Sequence, residues 1–295
     1  MTTTAPFTAA GDPNTQLPAT PRSTLPGFNV LLMGPAGTGK TTSIGTLVDS
    51  GVEVFYLGLE PGLESLLGYW TDRGKEIPPN LHWHYLEAPK ASFSEFMDTA
   101  RKVNTMSLDT LAKMQDPNRS AHNQFIKLLE ALNDFPDDRS GQKFGCVDTW
   151  TPSRALVVDG MAGLARAAMS LVVGGKPVRS QSDWGIAQDQ VEKIVRMWTD
   201  NCRCHFVLIA HVERETDAIL GGVKLMVSTL GKALAPKLPP MFSDVILAVR
   251  EGAKFTWDTG SAIADVKTRN LPIQQGLPAD FGAIVKKWQS RGGVL

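Results

Sequence analysis

The segment Gly34-Pro35-Ala36-Gly37-Thr38-Gly39-Lys40-Thr41 follows the apolar run 30–33 and precedes residues 42–48, which can continue as helix. This is the G-x-x-x-x-G-K-[ST] pattern in its strand, loop, helix setting, and no other feature constrains the fold as strongly. The glycines let the backbone curl until successive N–H groups converge on phosphate oxygens, and the emerging helix adds the positive end of its dipole. The pattern predicts that these residues, with Thr42, cradle a nucleoside triphosphate. Lys40 would reach the β and γ phosphates and Thr41 would ligate Mg2+.

From residue 28 onward, short β-branched runs alternate with helical stretches, as in an α/β domain built on a largely parallel sheet. Strands are expected at 28–33, 52–58, 81–86, 155–159, 205–211 and 245–250, with a late pair near 254–257 and 262–267. Helical apolar spacing occurs in Phe125, Leu128, Leu129 and Leu132, in Val191, Ile194, Val195 and Trp198, and in Phe281, Ile284, Val285 and Trp288. Segment 93–143 reads as a helical insertion ending in the loop 135–144, and 272–295 as a C-terminal helical extension. Residues 1–27 hold seven Thr, five Pro and two formal charges without a periodic apolar face, so this tail is expected to be disordered alone. The core is therefore expected over 28–271.

With 30 Lys+Arg against 30 Asp+Glu, the chain cannot coat nucleic acid through bulk charge, and any such site must be local. The longest apolar stretches, such as 206–210, fall far short of the roughly 20 residues a bilayer-spanning helix needs. The N-terminus lacks the basic start and apolar core of a secretory signal. Three cysteines make no disulfide framework, in keeping with a reducing, cytoplasmic compartment. Cys202-Arg-Cys204-His205 has no second ligand pair at zinc spacing, and His82 and His84 read as structural.

Later residues bear on the fate of the triphosphate. Ala155-Leu-Val-Val-Asp159 is an apolar strand ending in a carboxylate, the Walker B arrangement in which Asp159 holds Mg2+. AAA+ ATPases and many helicases place a water-activating Glu directly after this Asp, where this chain has Gly160. A Glu does end the second expected strand, which makes Glu60 the candidate general base.

The P-loop, Glu60 and Asp159, in this order, resemble the RecA/RadA branch of P-loop ATPases. The more specific likeness is to the phage-encoded Sak-type single-strand annealing ATPases, which look like a RecA core without accessory domains. The resemblance implies a RecA-like α/β P-loop core with a mostly parallel central sheet flanked by helices, and antiparallel strands at its C-terminal edge. It implies an ATP- and Mg2+-dependent ATPase that binds single-stranded DNA in recombination or annealing, inside a bacterial host if phage-encoded. By the same resemblance His211 is a γ-phosphate sensor, and Lys267 and Arg269 reach a neighbouring subunit's nucleotide. Phe7 and Ala10 fit the F-x-x-A tether that joins subunits of a homo-oligomer, filament or ring. The DNA loops would carry Lys176 and Arg179, then Lys224, Lys232 and Lys237 in a stretch, 219–241, without Asp or Glu. A separate single-strand-binding protein would be a further partner. Two rival readings share the P-loop: a ring-forming helicase or helicase loader, and a small-molecule kinase.

Overall fold

The computed structural model describes residues 25–87, 92–116, 119–216 and 221–295. Phe7 and Ala10, and with them the expected tether, lie outside the described residues. The strands are β1 (Asn29–Met33), β2 (Glu53–Gly58), β3 (Leu81–Tyr85), β4 (Arg154–Asp159), β5 (His205–Ala210), β6 (Val212–Thr216), β7 (Val223–Val227), β8 (Asp244–Glu251), β9 (Lys254–Asp258) and β10 (Leu277–Pro278). The α-helices are α1 (Lys40–Asp49), α2 (Leu63–Thr71), α3 (Phe93–Thr105), α4 (Leu108–Lys113), α5 (Gln124–Asn133), α6 (Met161–Val173), α7 (Gln181–Arg196) and α8 (Phe281–Ser290).

Eight strands form one sheet in the order β10-β9-β8-β1-β5-β4-β2-β3, parallel from β8 through β3 and antiparallel at β9 and β10. Both faces of its centre are covered, which is why the central strands are continuously apolar. The two-residue period sorts them cleanly. Val30 and Leu32 of β1 pack with α1, α2 and α8 on one face, whereas Leu31 and Met33 pack with α5, α6 and α7 on the other.

The expected helix stripes are core. Phe281, Ile284, Val285 and Trp288 are all buried, as are Val191, Ile194, Val195 and Trp198. Helix α8 is therefore integral to the domain, and its Trp288 indole donates to the carbonyl of Pro26 at 2.9 Å. Within the insertion, α5 buries Phe125 and Leu128 but leaves Leu129 exposed, because its outer face has no partner. Helix α3, closed by a Ser92–Glu95 capping box, buries none of its residues.

Two expectations need correction. Residues 262–267 form no strand: Ala264 and Lys267 make only isolated bridges, to Leu225 and Val245, and the short antiparallel edge strand is β10. A Pro at that edge suits a strand that must not recruit another. The stretch 219–241, expected as a DNA loop, is not open throughout, since its β7 pairs with β6 as a separate antiparallel ribbon. Its polar alternation was too short to stand out in sequence. The loop 135–144 in turn seals the outer edge of β3. The amide of Asp138 donates to Trp83 O at 2.8 Å, while the carboxylates of Asp137 and Asp138 accept from the amides of Trp83 and Tyr85. His82 and His84 pair with those same two carboxylates at 3.1 and 2.8 Å, the structural role expected of them.

Candidate functional site

Ligand-facing residues of an open parallel sheet gather beyond the carboxyl ends of its strands. Here the P-loop follows β1, Glu60 lies just past β2, Asp159 ends β4 and His211 follows β5. Strand register aligns them: Met33 lies opposite Ala210, and Gly58 and Ile209 lie on either side of Asp159.

The P-loop curls through left-handed backbone at Gly37 (φ 73°) and Gly39 (φ 74°), conformations that disfavour other residues. Gly39 also lies against the ring of Phe255, from the β8–β9 hairpin, where an added Cβ would come within 3.0 Å. Lys40 begins α1, and its buried ammonium donates to Gly34 O at 2.8 Å and Pro35 O at 2.7 Å. Burial lowers the Lys40 pKa to about 8, against the opposing pull of Asp159 and Glu60. Negative phosphate oxygens would restore that charge, so the lysine fits an anionic ligand.

Thr41 donates its hydroxyl to Asp159 Oδ2 at 2.7 Å, and the Tyr56 hydroxyl donates to the same oxygen at 2.9 Å. Desolvation raises the Asp159 pKa despite these two bonds, and the same burial, with Asp159 beside it, pushes the Tyr56 phenol far up. A buried carboxylate next to a threonine hydroxyl is an oxygen donor set suited to a hard divalent cation such as Mg2+. Gly62 borders this spot: a Cβ there would lie in ordinary contact, 3.5–3.7 Å from Tyr56, Asp159 and Thr41.

Glu60 is brought to the same place by its own backbone, because the amides of Leu59 and Glu60 both donate to Asp159 O. Its carboxylate lies directly over Gly160, where any Cβ would collide with it. A Cβ at Gly163 would likewise strike Leu59 at about 2.5 Å. The absence of a side chain after Asp159 is thus what admits a carboxylate arriving from β2. Arg166 of α6 holds Glu60 Oε1 at 3.2 Å, and His211 Nε2 stands 3.9 Å from Oε2. The carbonyl of His211 accepts from Ser228 N at 2.8 Å, which ties the strand end to the β6–β7 ribbon.

Other predicted residues are placed differently. Lys267 pairs through its backbone with Val245 near the start of β8 and donates its ammonium to Pro240 O at 3.1 Å. Arg269 is exposed, and its amide donates to Asp244 Oδ1 at 2.8 Å. Asp244, fully buried, also accepts from Thr268 and Asn270, and so fixes this turn. Because Asp244 lies opposite Val30 at the amino end of β1, Lys267 and Arg269 sit at the opposite end of the sheet from their own P-loop. Four of the five predicted DNA-binding cations carry carboxylate partners: Lys176 with Asp183, Lys224 with Asp265, Lys232 with Glu215 and Lys237 with Glu192. The stretch without acids is thus neutralised by acids from β6, α7 and residue 265, which linear inspection of the stretch does not reveal. Arg179 differs, having no ion pair among the described residues and lying 5.7 Å above the Trp184 ring.

Sequence reasoning missed Tyr56, Arg166 and the hairpin residues Arg250 and Phe255 over the P-loop. A usable signal existed for Tyr56, which shares strand parity with Gly58 and ends up against Asp159. Arg166 offered none, as an arginine on a helix is normally solvated. Among the described residues no cluster of His, Cys, Asp and Glu is arranged to hold a metal by itself, and no helix is long and apolar enough to cross a membrane.

No curated protein matches the chain. Among solved structures it is similar to the RadB recombinase, at 14% identity over 86% of each chain with a TM-score of 0.34. It is also similar to the flagellar accessory protein FlaH from Methanocaldococcus jannaschii, at 10% identity over 79% of this chain and 77% of that one, with a TM-score of 0.29. Superpositions this loose carry no weight beside the site geometry. The match to a protein-family model is of another order, spanning residues 27–271, from the start of β1 past the Asp244-anchored turn. The chain belongs to the AAA domain family of P-loop ATPases.

Proposed function

We propose that the protein is an ATP- and Mg2+-dependent ATPase of the RecA type that binds single-stranded DNA, works as a homo-oligomer, and serves phage-type recombination or strand annealing. The observation that carries this reading is the position of the Glu60 carboxylate, delivered from β2 onto Gly160 beside the Thr41–Asp159 pair. In the reaction, water attacks the γ-phosphorus, the bond to the β–γ bridging oxygen breaks, and Glu60 accepts the proton of the attacking water. Lys40 and the P-loop amides hold the phosphoryl oxygens. Thr41 and Asp159 would hold Mg2+, which supplies charge neutralisation between the β and γ phosphates. His211, joined to the ribbon through Ser228, links the γ-phosphate position to the β6–β7 surface.

Oligomerisation enters because Lys267 and Arg269 face away from their own nucleotide end. Their use is in trans, on the adjoining subunit's γ-phosphate, where such cations are worth 10³–10⁵ in rate. The pairs of Lys224, Lys232 and Lys237 do not oppose DNA binding, since ion pairs of exposed lysines contribute little and a phosphate can replace the carboxylate. ATP hydrolysis without DNA, with duplex and with single strand, at two protein concentrations, tests the reading. Stimulation by single strand that rises faster than linearly with protein is expected. Equal turnover in all conditions would refute it, and single-strand-independent phosphorylation of a small acceptor would favour a kinase.

A further inference from the structure

We infer that Arg166 is a clamp on Glu60, and that a phosphate of a nucleic-acid strand lying in the groove beside α6 releases it. This rests on the single-strand reading above and assigns its regulation. The clamp is visible in the contact itself. The guanidinium of Arg166 binds Glu60 Oε1 at 3.2 Å, so it occupies a lone pair of the group meant to receive the proton of water. The other oxygen is hemmed in by Gly160 and by His211 at 3.9 Å. As it stands, the carboxylate is held rather than poised.

The release is visible in what else Arg166 faces. A groove of about 360 Å3 runs between α6, the start of α7 and the segment after β7, and it is lined by Arg166, Met169, Arg179, Trp184 and Gly231. It therefore joins both segments expected to meet DNA with the residue whose guanidinium hydrogen-bonds the Glu60 carboxylate. Among the described residues its two guanidiniums have a single carboxylate partner between them, Glu60. Trp184 is half-buried against α6 and Leu230, offering the groove an aromatic wall with Arg179 above it. Two guanidiniums beside an aromatic suit a phosphodiester and its unstacked base.

Competition favours the phosphate. The Arg166 side chain is 65% exposed while that of Glu60 is 14% exposed, so the arginine is the partner free to move. An ion pair exposed on one side contributes little in water, and the planar guanidinium fork binds phosphate oxygens two at a time. Swinging Arg166 toward a strand in the groove would leave Glu60 Oε1 free for water. Strand binding and hydrolysis would then be coupled through one side chain.

Replacing Arg166 by Ala, on a helix surface, tests this. Turnover without DNA should rise by a factor of about two to five, the rate equivalent of losing a partly exposed ion pair to the base. The ratio of rates with and without a poly-deoxythymidine strand should fall toward one, while the affinity for ATP stays unchanged. Arg166→Lys, which keeps the charge but not the fork, should lie between. Inorganic phosphate at equal phosphate concentration should stimulate the wild type far less than the strand, and equal stimulation would overturn the strand as the ligand. Unchanged or slower basal turnover in Arg166→Ala, with stimulation preserved, would overturn the clamp. A wild type indifferent to DNA together with a fast Arg166→Ala would sink the function proposed above and uphold the clamp.

Discussion

The nucleotide edge and the β6–β7 surface of this domain are built on opposite principles. At the nucleotide edge, Lys40 and Asp159 are buried, closely bonded and shifted by desolvation. On the β6–β7 side, cations such as Lys224, Lys232 and Lys237 are exposed and satisfied by carboxylates that a ligand must displace. A buried pocket gives chemistry, whereas exchangeable ion pairs give a surface whose occupancy depends on salt. The difference teaches that charge alone does not mark a binding face. What matters is whether the structure already spends that charge internally.

The sharpest way to break this contrast is at the buried end. Lys40→Met should abolish detectable turnover and weaken ATP binding severely, measured by hydrolysis and by nucleotide fluorescence. Retained turnover would remove the P-loop from the chemistry. Gly160→Ala is the next largest. Its methyl displaces the Glu60 carboxylate, and a misplacement of about 1 Å can cost about 10²-fold in rate, while ATP affinity should hold. Wild-type turnover in that variant would mean that Glu60 need not lie over Gly160.

The pH dependence of binding sharpens the comparison further. The Lys40 pKa, about 8 in the free protein, must rise when phosphates supply opposing charge. ATP binding near pH 8 should therefore take up a proton, and affinity should fall by up to about tenfold per pH unit above 8. Calorimetry in buffers of different ionisation enthalpy reads this directly, and the uptake should vanish in Lys40→Arg. Acid stability has the same logic with a structural residue. Burial lowers the His205 pKa to about 3, below the value of 6.5 it takes when exposed. The unfolded chain binds the extra proton between these values, so stability should decline by as much as about 1.4 kcal/mol per pH unit below 6.5. Urea titrations between pH 7 and 5 check it. The smallest effect belongs to the exchangeable surface. Lys232→Ala should leave the urea midpoint essentially unchanged and make the salt slope of single-strand binding shallower by about 0.7.

The same contrast governs how much could be read from sequence. The P-loop, Asp159 and Glu60 were legible because each sits at a strand end, and strand periodicity plus a local motif places them without tertiary knowledge. The stripe from Phe281 to Trp288 was equally legible, and α8 packs it against α1. Less legible was anything that depends on residues far apart meeting. The acids that neutralise Lys224, Lys232 and Lys237 lie outside the stretch that seemed free of them. The turn carrying Lys267 and Arg269 is set by buried Asp244, so its i, i+2 spacing did not produce a strand. The clamp on Glu60 comes from Arg166, more than a hundred residues away and silent in any local pattern.

The central claim is that a carboxylate from the end of β2 serves the attacking water. Single-turnover ATP hydrolysis by Glu60→Gln, with ATP affinity measured on the same preparation, tests it most directly. A loss of about 10²–10⁴ in rate with affinity unchanged is the predicted result. Near-normal hydrolysis by Glu60→Gln would contradict it.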